Sequence, residues 1–419
     1  MNLESRIDNM SRRWLIFSLS TSLFFISQFY RVSNAVIAPM LIQDLSLDTE
    51  GLGLISASFF YAFALTQIPI SLFLDKIGAR NSMTALSAVG ILGAVVFSRA
   101  DSLALGLTGR VLLGAGVACN LMGTLKLLTQ WFSPRKFATL MGVVVAIGTV
   151  GNMVATTPLV LLVENIGWRA GFQVIAAINL LLTLIFYVVV CDPPADSPDN
   201  QNPGPSMSLK GVFGNIQFLF RQQDYWIISF STLVRYGVFA AFQALWAGPF
   251  LMEVMGYSAI TTGNLILLLN FGMILGSPGW GTLSDRLFRT RKGVVIAGLT
   301  GTALTIISLT VVPAGIHLAA LALLFFCLGF FNAAGLLMYP HIKEMMPLEM
   351  AGVAMTGVNF FNMIGPAVFL QGLGSLMQTL YPDASRGSEA FNTAFIVCSV
   401  GLVIATTLYF FTAEKPLDR

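Results

Sequence analysis

Hydrophobic residues in this chain come in long blocks rather than short alternating runs: 14–40, 51–74, 81–98, 102–131, 137–163, 168–191, 226–254, 261–284, 293–312, 317–340, 350–379 and 390–412. A helix rises about 1.5 Å per residue, so ~20 mostly apolar residues cross a hydrocarbon core about 30 Å thick. Each block therefore predicts a membrane-spanning helix, twelve in all. Six precede and six follow a polar, proline-rich stretch, DPPADSPDNQNPGPS, which can bury little. The expected organisation is a six-helix bundle over 1–191, a cytoplasmic linker over 192–221 and a second six-helix bundle over 222–419.

Composition agrees with the blocks. Of the 419 residues, 56% are hydrophobic and 10% charged, against about 25% charged in soluble domains. A soluble fold is excluded on that balance. The four cysteines lie in or beside apolar runs without paired or metal-like spacing and read as packing residues. No short apolar segment with a small-residue cleavage site opens the chain, so the first helix is expected to act as an uncleaved insertion signal.

Mapped onto the predicted spans, Lys and Arg are lopsided. Sixteen fall in one set of connecting segments and three (Arg99, Arg169, Arg386) in the other. Basic loops stay on the cytoplasmic side, which places both termini in the cytoplasm of a multi-pass protein of the inner (plasma) membrane.

The halves also repeat. A shift of 210 residues lays Gly53 on Gly263 and Asp75 on Asp285, at the ends of matching helices. Parallel six-helix repeats are a known carrier architecture. Within this layout, DKIGAR (Asp75 to Arg80) and SDRLFRTR (Ser284 to Arg291) resemble the acidic–basic loops of the major facilitator superfamily. The resemblance implies an all-α fold of two pseudo-symmetric six-helix bundles, with Asp75, Arg80, Asp285 and Arg286 as conformational gating residues. GWRAGF (from Gly167) resembles the family's turn into its sixth helix, and GRVLLGAG (from Gly109) its fourth-helix pattern, which makes Arg110 a gating or packing arginine. One departure is Ser71, where the family's usual glycine is matched in the second half by Gly281.

The chemistry lies in what the spans retain. Arg31, Arg110, Lys126 and Arg235 lie inside them and no carboxylate joins them; Arg169 and Glu253 sit at block ends, in or beside the outer loops. An intramembrane charge costs roughly 2.5–3.5 kcal/mol on insertion scales, so such groups are functional candidates. An anion that binds and leaves is the simplest neutraliser. Arginine suits carboxylate or phosphate because its planar fork donates paired hydrogen bonds and stays charged when desolvated. Arg31 in FYRVSNAVIAP, with Pro39 following, and Arg235 in LVRYG resemble the substrate arginines of the organophosphate:phosphate antiporters. FYR and QWFSPRK also resemble the anion:cation symporters of sugar acids. Those symporters' coupling acids are replaced here by Tyr30 and Val117, which favours anion exchange or a proton carried by the substrate.

Gln28 and Asn34 flank Arg31 at three residues on its own helix face. Among the other intramembrane amides, Asn152, Gln243, Asn270, Asn332, Asn359 and Asn362, we rank Asn152, Gln243 and Asn359 first as substrate contacts; amides at such positions also join helices. Lys126 is expected to attract anions at the inner mouth. His341 reads as a histidine at a loop edge.

The sequence shows no phosphate-binding loop, metal cluster, nucleophile–base pair or nucleic-acid patch. It therefore predicts neither enzyme, cofactor nor metal. Its partners are expected to be a small anion and the lipid bilayer, with the chain working as a monomer. The reading is a secondary active transporter of a small organic anion, a sugar acid, carboxylate or organophosphate. The alternatives are an anion sensor on the same fold and an exporter of lipophilic compounds. The fifth span lacks the Gly-Pro signature of drug antiporters, and no midplane carboxylate is present, which disfavours the exporter.

Overall fold

A backbone in hydrocarbon must satisfy its own N–H and C=O groups, so the apolar blocks become helices. The structure is a computed structural model; it describes residues 3–190, 218–313 and 315–414, and among these no strand occurs. The first half contains α1 (Leu3–Val32), α2 (Asn34–Leu45), α3 (Thr49–Ser98), α4 (Leu103–Val117), α5 (Asn120–Trp131), α6 (Pro134–Val154) and α7 (Thr157–Val189). The second contains α8 (Gln223–Ala241), α9 (Ala259–Thr282), α10 (Lys292–Ser308), α11 (Leu318–Ala333), α12 (Met338–Met345), α13 (Leu348–Leu380) and α14 (Ser388–Tyr409). The predicted linker lies outside the described residues except for 218–221.

Ten described helices are long and apolar enough to cross a membrane. Two of the twelve predicted stretches are not among them. In 51–74, several side chains lie outside those described. In 137–163, the apolar helix Thr139–Val154 is shorter than the rest.

Two sharp bends fall at predicted loops. Gly78 (φ 80°) splits α3 and Gly167 (φ 77°) splits α7; this region of φ is open to glycine and strained for residues with a Cβ. Other breaks fall inside predicted spans. Ser33 separates α1 from α2, and Ala118 and Cys119 separate α4 from α5. Two π-helical turns, Phe242–Trp246 and Phe250–Val254, extend α8, and a 3₁₀ turn, Ala334–Leu337, joins α11 to α12.

The described chain forms two compact units. The first holds the chain to Met40, Asp44–Ser46, and Ser58 through α7; the second holds Leu41–Gln43, Leu47–Ala57 and everything from α8 onward. The start of α3 joins the second unit because Gly53 has no side chain: a Cβ there would lie 2.6 Å from the Leu370 carbonyl oxygen on α13. Thr49 adds two polar contacts, a hydroxyl 2.6 Å from that of Ser385 and a backbone N–H donated to Gln378.

Each unit uses glycine in the same way at one helix crossing. A Cβ on Gly114 of α4 would run into the carbonyl of Phe59 on α3, and a Cβ on Gly329 of α11 into that of Leu269 on α9. The two carbonyls are related by the 210-residue repeat. Backbones this close leave no room to relax, and overpacking costs about 1–3 kcal/mol or more. Gly329→Val is therefore expected to lower the thermal unfolding midpoint of the purified protein. Gly372→Ala, where an added Cβ meets nothing within 4 Å, should leave it unchanged.

In the first unit a polar cluster fixes the limb after Gly167. Asp44 accepts from the Trp168 indole at 2.9 Å and pairs with Arg169, whose other nitrogen donates to the Ala100 carbonyl at 2.9 Å. The Trp168 hydrogen bond, aided by Arg169 against a smaller opposing effect of burial, holds the Asp44 carboxyl below its ordinary range.

Candidate functional site

In the first unit Arg31 sits one residue before the end of α1 and is 8% exposed. Its guanidinium lies 4.8 Å from the ring centroid of Phe63 and 5.9 Å from that of Phe60, both on α3. Aromatic faces hold a cation by their quadrupole and add no counter-charge. Asn34 opens α2 just beyond the break and is fully buried. Gln28 lies one turn earlier on α1. Asn152 comes from α6, which crosses α1 where Gly151 abuts the Phe25 backbone and the Gln28 Cβ. The side-chain oxygens of both Gln28 and Asn152 are buried without a hydrogen-bond donor among the described residues.

Arg110 is placed differently. It is fully buried on α4, donates from Nη1 to the Tyr30 carbonyl of α1 at 3.0 Å, and lies 4.7 Å from the Phe59 ring centroid. It bridges helices. Lys126 donates from Nζ to the Leu74 carbonyl, which ties α5 to α3.

In the second unit Arg235 occupies the middle of α8 and is 2% exposed. Nη1 donates to both the carbonyl and the side-chain oxygen of Asn332, each at 2.9 Å, and Nη2 donates to the Asn362 side-chain oxygen at 3.3 Å. Asn332 closes α11, where carbonyls lose their in-helix donors and become available. Gly335, in the following 3₁₀ turn, makes room, because a Cβ there would collide with the guanidinium. All three acceptors are neutral. The Nε–H is buried and has no acceptor among the described residues, so of the five guanidinium N–H groups some donor capacity remains uncommitted there.

Arg235 and Arg110 thus play matching structural parts. The first and seventh predicted spans correspond, as do the fourth and tenth; Arg110 bridges from fourth to first, and Arg235 from seventh to tenth.

The predicted amides separate into groups. Gln243, in the first π-helical turn, donates to Asn270 at 2.9 Å, a helix-to-helix bond away from Arg235's acceptors. Asn359 accepts from the Tyr339 hydroxyl at 3.0 Å, one helical turn before Asn362 on α13. Arg235 is bonded instead by Asn332 and Asn362. They stand 97 and 127 residues away in sequence, and no local signal distinguishes them from the other amides.

At the loops, the Asp75 side chain lies outside the described residues. Arg80 donates from Nε to the Tyr187 carbonyl at 2.8 Å and lies 4.2 Å from that ring's centroid. Asp285 pairs with Arg291, which also reaches Glu344 at 3.2 Å, while Arg286 is exposed. The chain doubles back after the π-helical turn Leu283–Leu287, the Ser284 hydroxyl donating to the Thr290 carbonyl at 2.9 Å, so the more distant arginine is delivered to the acid.

His341 departs from its expected loop edge. It is 1% exposed in α12 because the residues following α14 fold over it.

These helices, with buried arginines in both units, define a multi-pass helical membrane protein. The chain belongs to the Major Facilitator Superfamily, whose family model matches residues 17–370 and also 228–419. This is a family of transporters rather than enzymes. Among curated relatives, the probable sulfoacetate transporter SauU of Cupriavidus necator is 24% identical over 85% of this chain and 86% of its own length. The membrane sensor protein UhpC of Escherichia coli is 22% identical over 98% of this chain and 95% of its own. Among solved structures, a bacterial homolog of the human lysosomal transporter Spinster, inward-facing and unoccupied, superposes with a TM-score of 0.77 at 20% identity. That match covers 95% of this chain and 96% of the other, and at such identity it speaks for the fold alone.

Proposed function

We propose that the protein is a secondary active transporter that carries a small organic anion across the inner membrane by alternating access, with Arg31 and Arg235 binding the anion. On this reading twelve spans form two six-helix bundles, residues 1–191 and 222–419, with both termini and the 192–221 linker cytoplasmic. The observation that carries it is Arg235: a permanent charge, 2% exposed, bonded only to neutral amide and carbonyl oxygens among the described residues. Buried charge is normally paired with opposite charge. A mobile anion supplies the missing partner, and the uncommitted N–H groups supply its hydrogen bonds. Gln28, Asn34 and Asn152 line the corresponding part of the first unit, with Asn359 and Gln243 as further polar contacts. Asp75, Arg80, Asp285, Arg286 and Arg110 serve the conformational change, and Lys126 draws anions to the inner mouth. The SauU likeness supports an organic-anion cargo.

The likeness to UhpC along nearly the whole chain favours a second reading, an anion sensor with little flux. Purified protein in liposomes separates the two. A transporter exchanges a labelled sulfonate, sugar acid, dicarboxylate or sugar phosphate for its internal counterpart, whereas a sensor binds one of them without exchange. Binding of none would refute both readings.

A further inference from the structure

His341 is a buried titratable group outside the arginine sites, and both its ring nitrogens have partners. Its Nε2 lies 3.0 Å from the Ala413 carbonyl oxygen. A carbonyl can only accept, so Nε2 carries the ring proton. Nδ1 lies 2.7 Å from the Tyr409 hydroxyl; in the neutral ring it must accept, and Tyr409 donates. His341 is 1% exposed and Tyr409 fully buried.

The ring holds down a strap, the segment from Phe410 to Glu414 that follows α14. The Ala413 N–H donates to Asp224 at the start of α8 at 2.9 Å, and Lys292 Nζ donates to the Phe410 and Thr412 carbonyls at 2.7 and 2.8 Å. Glu414 accepts from the Thr290 hydroxyl and from the backbone N–H groups of Arg291 and Lys292. A carboxylate placed there answers the free amides and positive dipole end of α10. Five residues thus tie together the ends of α8, α10, α12 and α14.

We propose that His341 is a proton-binding site whose occupancy releases this strap. A second proton must enter at Nδ1, whose lone pair already takes the Tyr409 hydrogen. Tyr409 would have to reverse, and its own O–H would lose its acceptor inside a buried site.

The surrounding charged groups do not relieve this. Glu344 and the exposed Lys343 share the helix of His341. Asp224 comes from α8, Asp285, Arg291 and Lys292 from the turn into α10, and Glu414 from the strap. Asp224 is engaged by the Ala413 N–H, Asp285 and Glu344 by Arg291, and Glu414 by the start of α10. Both ring nitrogens face neutral oxygens. The imidazolium is hydrated only if the site opens, which breaks the bond to Ala413 and with it the strap. Because α12 follows the turn that houses Gly335, opening also frees the helix beside Arg235.

The inference does not depend on transport, and its test reads the strap itself. Hydrogen exchange of the full-length protein in lipid nanodiscs is followed by mass spectrometry over residues 405–414 at about pH 8 and about pH 5.5, either side of the ordinary histidine pKa of about 6.5. After correction for intrinsic exchange, the strap amides should exchange about tenfold faster at the lower pH, as expected for a local opening. His341→Gln keeps a donor and an acceptor but cannot take the proton, and should abolish that difference. Tyr409→Phe removes the hydrogen that competes for Nδ1, and should move release to higher pH. Equal protection at both pH values in the wild type would overturn the proposal. So would a wild-type pH response in His341→Gln, which would assign the titration to the carboxylates, or an unmoved midpoint in Tyr409→Phe.

Discussion

Arg235→Gln is expected to abolish measurable anion binding and uptake while leaving a folded protein in the membrane. Removing one member of a buried, hydrogen-bonded charge pair costs roughly 2–5 kcal/mol, about 30-fold or more in affinity. The fold should lose less. Glutamine has two N–H donors for the three acceptors that Arg235 serves, so at least one is left unsatisfied, at about 1–3 kcal/mol. Arg235→Lys should fall between the two, because lysine retains the charge but not the planar fork. Equilibrium binding to purified protein, with thermal unfolding measured alongside, checks both halves of the expectation. Binding retained in full by Arg235→Gln would remove this arginine from the site.

Asn362→Asp should have an effect as large by the opposite route. Asn362 accepts from Arg235 Nη2 at 3.3 Å. A carboxylate there becomes a permanent counter-ion, and beside the guanidinium it stays ionised. The cargo must then compete with an internal anion, and affinity should fall about 100-fold or more with no loss of stability. Asn362→Ala frees an Nη2 hydrogen instead, and should leave affinity equal or higher. A purely structural Asn362 would behave otherwise: the alanine variant would lose stability, and the aspartate variant would bind normally. The pair is read by the same titration.

Features set by local or one-dimensional physics are legible in the sequence. Apolar blocks located the helices because span length is set by bilayer thickness, and the gaps between blocks hold the bends at Gly78 and Gly167. The 210-residue repeat reappears in the paired carbonyls of Phe59 and Leu269. The helix breaks at Ser33, at Ala118 and Cys119 and at Ala334–Leu337 were not visible. They contain no proline and lie inside unbroken apolar runs. Asn332 and Asn362 could not be told from the other intramembrane amides, because each meets Arg235 through folding across about a hundred residues. Arg286 sits beside Asp285 in sequence, yet Arg291 makes the ion pair once the loop doubles back. His341 looked like a loop histidine because the residues that bury it, Tyr409 and Ala413, lie at the far end of the chain.

The sign of the cargo is the central claim, and one titration tests it most directly. Purified protein is titrated with small carboxylates, sulfonates and organophosphates, and then with the uncharged amide or ester of whichever binds. The account predicts saturable binding of at least one anion, weakened by chloride and absent in Arg235→Gln, and no binding of its neutral counterpart. Equal binding of the neutral counterpart, in wild type and variant alike, would contradict it.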